Sequence, residues 1–134
     1  DNTLIISADI ENQINDLVDK NEKKNFMEML NIKETGLNNL IQKGYNLLSL
    51  ETFFTSGPEE SRSWTITKNC TEPKAAGEIH TDFEKGFIRA ETISYDDFIK
   101  NEGWVKSKEN GKMRLEGKDY IVKDGDVLNF RFNT

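Results

Sequence analysis

Near Leu48 the hydrophobic period of this chain changes, and with it the kind of structure the chain can build. Upstream, apolar residues recur at helical spacing; from Leu50 onward they alternate residue by residue, as strands require. Of the thirteen aromatic residues only Phe26 and Tyr45 precede the change. Two architectures therefore meet here, a mostly helical segment over residues 1–48 and a second domain over residues 49–134.

The first segment opens with Leu4-Ile5-Ile6, a short apolar run that reads as a strand. Ser7 follows as an N-cap, ahead of Ile10, Ile14, Leu17 and Val18 at helical spacing. Asp19 with Glu22 starts a second helix carrying Phe26, Met29 and Leu30, and Thr35 caps a third with Leu37, Leu40, Ile41, Tyr45 and Leu48 on one face. One strand cannot satisfy its own backbone, so Leu4 to Ile6 requires partners that this segment lacks. The segment reads as cut from something longer, with apolar helix faces left uncovered, and it is expected to be the less stable part.

In the second domain Leu50 to Thr55 and Arg62 to Thr67 form a hairpin about a Ser-Gly-Pro turn. Pro73 suits a first helical turn, and Ala75, Ala76, Ile79 and Phe83 give an amphipathic helix that stops around Gly86. Ile88 to Ile93 is a strand, Ser94 with Asp97 caps a short helix, and Lys106 to Lys112 is a polar loop. Asp119 to Val122 and Val127 to Phe132 are the last two strands. Alternation turns Ile88, Ala90, Leu128, Phe130 and Phe132 toward the helix and leaves Arg89 and Arg131 on the outer face. A hairpin crossed by a helix and closed by further strands is an α+β layout of the ubiquitin-like, β-grasp kind.

Composition narrows the chemistry. No apolar run approaches the roughly 18 residues that cross a bilayer, so no membrane partner is expected and the cytoplasm is the default location. A single cysteine, Cys70, and a single histidine, His80, cannot supply a structural zinc site. The net charge of −6 argues against wholesale wrapping of nucleic acid but permits a local basic face.

Particular stretches carry a resemblance. "LETFFTSG", "SWTI", "AAGEIHTDFEKGFIRAETISYDDFI" and "RLEGKDYIVKDGDVLNFRF" resemble the C-terminal TGS domain of YchF-type Obg-like ATPases over essentially all of residues 49–134. "ISADIE" is similar to the segment that closes the nucleotide-binding domain of that family. The resemblance implies a parent protein that is a P-loop NTPase, binds ATP or GTP with magnesium, and associates with ribosomes. This chain has no G-x-x-x-x-G-K-[ST] loop to cradle phosphates, so no cofactor and no catalysis are expected of it alone. Only Ser7 and Ala8 carry over, matching the family element whose backbone approaches the nucleotide base.

His80 lies between Glu78 and Asp82, yet no Ser, Thr or Cys nucleophile is placed for it to activate; a helix-end histidine is the plainer reading. Glu78, Asp82 and Glu84 read as a solvated helix face flanked by Lys74 and Lys85. Lys85, Arg89, Lys118 and Arg131 are the candidate contacts to ribosome or structured RNA, with Trp104, in a loop after Gly103, as a base-stacking candidate. Three functions follow from different classes: an interaction module for ribosome, RNA or protein that also regulates the parent NTPase, a structural domain packed on its own NTPase domain, and an independent hydrolase using His80.

Overall fold

The computed structural model describes residues 3–133. They form two compact units, Asp1–Leu48 and Ser49–Thr134.

The first unit is three helices, α1 (Ala8–Asp16), α2 (Lys20–Met29) and α3 (Gly36–Leu47). Each begins at a side-chain cap that satisfies otherwise orphaned amides: Ser7 accepts from the Ile10 N–H, Asp19 from those of Asn21 and Glu22, and Thr35 from that of Asn38. Ile14 is the one fully buried side chain of the unit's helices, and Glu11 Oε1 ties α1 to α3 by accepting from the Gly36 N–H at 2.7 Å. The expected strand at Leu4 to Ile6 is not formed: this run has no regular secondary structure and no ladder partner, with Ile5 and Ile6 exposed. The described residues offer it no neighbouring strand, and a lone strand gains no ladder hydrogen bonds. Leu37, Leu40, Ile41, Leu47 and Leu48, on or just past α3, are also exposed.

The second unit is built on a five-stranded sheet in the order β2-β1-β5-β3-β4. β1 (Leu50–Ser56) and β2 (Ser61–Thr67) make the expected hairpin, in register from Leu50↔Thr67 to Ser56↔Ser61. β5 (Asp126–Phe132) lies parallel to β1 and antiparallel to β3 (Phe87–Ser94), and β4 (Arg114–Glu116) pairs the far side of β3. One face of the sheet packs on α4 (Glu72–Ile79) and α5 (Thr81–Lys85), burying Phe53, Ile66, Ala75, Ala76, Phe87, Ala90, Leu128 and Phe130. Each large side chain taken from water contributes about 1.5–3 kcal/mol, which makes this cluster the main source of the unit's stability. The alternate residues Ile93 and Val127 are equally buried on the other face, where α6 (Tyr95–Lys100) and α7 (Trp104–Glu109) lie and Tyr95 rests against Phe54 at 5.5 Å.

Several expectations need correction. The single helix ending near Gly86 is two, because His80 takes an extended backbone (φ −160, ψ 138) between α4 and α5. The polar loop from Lys106 to Lys112 is largely α7, which follows Gly103 at φ +113, a conformation that glycine adopts at little cost. Asp119 to Val122 is not a strand. Its backbone is drawn onto the start of α4 instead: the Tyr120 carbonyl accepts from Glu72 N–H, and Val122 N–H donates to the Cys70 carbonyl. Arg114, Tyr120 and the buried Asp126 hold this segment through Arg114→Tyr120 and Tyr120→Asp126 hydrogen bonds, both 2.9 Å. The strand that does form there is β4. Ile88 does not face the helices, because the register shifts between Phe87 and Arg89 and leaves Ile88 48% exposed while Phe87 turns inward.

Candidate functional site

After the bulge, β3 and β5 run in step, so that Arg89↔Arg131, Glu91↔Asn129 and Ile93↔Val127 stand directly opposite one another. Ile93 and Val127 are buried beneath the outer helices, and the next two pairs emerge from under them. Like charges placed directly across a ladder repel unless something answers them. Glu91 answers one: its carboxylate accepts from Arg131 Nη2 at 3.2 and 3.3 Å and from Asn129 Nδ2 at 2.8 Å. Arg89 is exposed and shows no ion pair of its own among the described residues. The strip therefore carries two guanidinium groups and one carboxylate.

The other candidate residues are dispersed. Lys85 ends α5, in the layer against the opposite face of the sheet, and Lys118 lies in the turn that follows β4; neither joins the arginines. Trp104 is not in a loop but opens α7, where its indole N–H donates to the Ser56 carbonyl at 2.9 Å and its ring meets Phe98 edge-on at 5.5 Å. Trp64 is likewise held in packing, stacked on Phe53 and donating to Thr55 Oγ1.

His80 has a structural job. It closes α4 and caps α5, its Nδ1 accepting from the Asp82 N–H at 3.2 Å. That differs from the expected complement to a helix C-terminus, since the ring serves the start of the next helix. Cys70 is buried, and burial, with Glu78 nearby, pushes its thiol pKa up, away from nucleophilic thiolate. Glu78, Asp82 and Glu84 are exposed, as a solvated face requires.

Ser7 borders a groove of about 610 Å³ in the first unit. Its lining residues include one cation, Lys33, and two acids, Glu11 and Glu34, and Ser7 Oγ already accepts from Ile10 N–H. One cation among two acids does not fit a triphosphate with its metal, which needs a nest of backbone donors and a net positive cradle.

One polar group was not legible as special. Glu72 is completely buried, with Oε1 accepting from the equally buried Thr92 hydroxyl at 2.8 Å and Oε2 unpartnered. Burial raises its pKa from 4.5 to about 7, opposed by the Thr92 hydrogen bond and reinforced by Glu116 and Asp126. In sequence it is an ordinary acid in a first helical turn; only the fold shows that Thr92 lies across from it. Sealed from solvent, it touches no substrate.

A five-stranded mixed sheet with helices on both faces, preceded in the chain by a separate helical unit, defines a protein of the α+β class. Comparison with known proteins makes this specific. Residues 50–133 match the family YchF-GTPase_C, described as a protein of unknown function (DUF933). The chain is 59% identical over 128 residues to the ribosome-binding ATPase YchF of Pasteurella multocida and 51% identical over 130 residues to that of Bacillus subtilis. These matches cover 96% and 97% of the chain but 35% of each relative, so the chain spans about a third of their length. The solved structure of the Schizosaccharomyces pombe YchF GTPase superposes with a TM-score of 0.77 at 36% identity, covering 96% of this chain and 34% of that one. The chain belongs to the YchF family.

Proposed function

We propose that residues 49–134 are a TGS-type β-grasp interaction module through which a longer, ATP- or GTP-hydrolysing protein contacts the ribosome or structured RNA in the cytoplasm and through which that contact regulates the NTPase. The β-grasp reading is supported by the strand order β2-β1-β5-β3-β4, with its outer pairs antiparallel and β1 parallel to β5 at the centre. The contact reading is supported by the relatives' description as ribosome-binding and by their high identity to this chain. Residues 1–48 are read as the closing part of the nucleotide-binding domain, with Ser7 and Ala8 near the base; the phosphates and magnesium belong to segments of the longer protein.

The observation that carries the proposal is the arginine pair. Arg89 and Arg131 are held directly opposite on an exposed sheet face where the one acid, Glu91, pairs with Arg131 alone, an arrangement that costs stability unless an anion uses it. Phosphate contact is the natural use, positioning rather than sequence-specific. Replacing Arg89 by Gln should weaken binding to ribosomes and structured RNA and lower the salt slope by about 0.7–0.9, the share of one phosphate contact. Its melting temperature should hold or rise slightly, because the side chain is exposed, has no ion pair among the described residues and no longer opposes the Arg131 charge. Unchanged binding and slope would remove the arginines from the interface.

A second reading is favoured by the exposed Leu37, Leu40, Ile41, Leu47 and Leu48. Such a patch is large for an isolated unit, and residues 1–48 would pack it on the NTPase domain of the longer protein. Concentration-dependent self-association of the chain, abolished by Leu40→Ser with Ile41→Ser, is the expected sign; a monomer at all concentrations would count against it.

A further inference from the structure

The outer sheet face beside Arg131 runs into a groove of about 610 Å³. Its walls come from the β1–β2 turn (Ser56, Pro58), α6 (Phe98), the start of α7 (Trp104, Val105) and β5 (Asn129), positions scattered through the sequence and joined only by the fold. The Trp104 ring is fixed in place by its bond to Ser56 and its edge contact with Phe98. Val105 stands open at the lip, 71% exposed.

Besides the Ser56 hydroxyl, which is bonded to Ser61 Oγ, two polar side chains line this slot, and both offer acceptors. Asn129 donates through Nδ2 to Glu91, which sets the orientation of the amide and leaves Oδ1 as an acceptor. The Glu102 carboxylate, held by Lys106 one turn along, is the second. Two residues beyond Asn129 on the same strand face, about 7 Å away, is Arg131, with Arg89 across from it. The surface thus reads, in order, as flat aromatic and proline walls, acceptors, then cations.

A flat ring with an amino edge, joined to a phosphate, matches that order. An aliphatic peptide side chain would use the walls and leave the acceptors and arginines idle. An acidic peptide would meet Glu102, and a basic one would meet Arg89. We propose that this groove takes the base of an unpaired RNA nucleotide bearing an exocyclic amino group, such as adenine or cytosine, while Arg131 and Arg89 take its backbone phosphate. The inference rests on the reading of the sheet face as an RNA contact and adds to it a base subsite and a base preference, since uracil has no amino group to offer the two acceptors.

The test uses the whole chain and labelled, single-stranded oligo(A), oligo(C) and oligo(U) RNA, followed by fluorescence anisotropy over a salt series. Oligo(A) and oligo(C) should bind at least about fivefold tighter than oligo(U), the lower end of the discrimination given by well-placed base-edge hydrogen bonds. Val105→Glu, which obstructs the slot from an exposed position, should remove that advantage while its melting temperature stays put. Asn129→Leu should bring adenine and cytosine down to the uracil level. Arg89→Gln should weaken all three equally and flatten the salt slope. If wild type shows no base preference, or if Val105→Glu binds all three as wild type does, the base subsite is overturned while the phosphate contact stands. If AMP alone binds as tightly as oligo(A), the groove is a free-nucleotide site and the RNA assignment falls. If none of the three binds and structured RNA fails as well, the contact reading itself is refuted and takes the subsite with it.

Discussion

Glu72 makes the fold's stability depend on pH in a way that can be worked out in advance. In the folded chain the carboxyl holds its proton to about pH 7, whereas in the unfolded chain it releases it near 4.5. Between those values the folded state binds more protons, so stability falls as pH rises through the window and levels off above about 7. At about 1.4 kcal/mol for each pH unit, the loss is about 3 kcal/mol, a substantial part of what a small domain has. Glu72→Gln removes the charge and keeps the bond from Thr92, but its amide nitrogen stands where Oε2 finds no partner. That costs about 1–3 kcal/mol at every pH. The variant should therefore be the less stable protein at pH 5 and draw level with or overtake wild type by pH 8.5, as urea midpoints followed by tryptophan fluorescence would show. Thr92→Val should move the other way, losing about 1–3 kcal/mol at pH 8 because the charged carboxylate is left without a donor. A difference between wild type and Glu72→Gln that stays constant across pH 5 to 8.5 would refute the reasoning, and with it the assignment of the buried charge.

Other outcomes follow from single contacts. Ser94→Ala removes the cap of α6, which accepts from Asp97 N–H, and should cost about 1 kcal/mol in a denaturant titration. Gly125 sits at φ +84 in the turn before β5, so Gly125→Ala should cost about 1–2 kcal/mol. The chain by itself should show no micromolar ATP or GTP affinity in calorimetry, because its donor set does not fit a triphosphate. Amide exchange should be fast over residues 3–48, where Ile14 is the one fully buried helical side chain, and slow in β1, β3 and β5.

What was legible in the sequence was what is decided locally. The caps at Ser7, Asp19, Thr35 and Ser94 depend on a side chain reaching an amide two or three residues on, and all four form. The hairpin and the outward setting of Arg89 and Arg131 followed from strict alternation. Elements decided at a distance were not legible. β4 is three residues long and exists because β3 has a free edge; α7 has little apolar periodicity and is held by Trp104 reaching Ser56. A bulge moves Ile88 out of phase without leaving any mark on composition. Glu72 could be found only once Thr92 was known to lie against it, and the groove at Trp104 only once four elements had met.

The position of β5 has a consequence for how the second unit comes into being. The strand nearest the end of the chain is the middle strand of the sheet, and its pairing of Val127 with Phe54 joins residues 73 apart. Until it arrives, β1 with β2 and β3 with β4 are separate ribbons with no sheet between them. Closing so long a loop comes before any reward from the contacts it creates, which places this unit among slow-folding topologies. A chain still in synthesis would thus carry Phe53 and Phe87 without the Phe130 ring they pack on until β5 had emerged, and cutting it after Gly125 would leave two separate strand pairs and no domain.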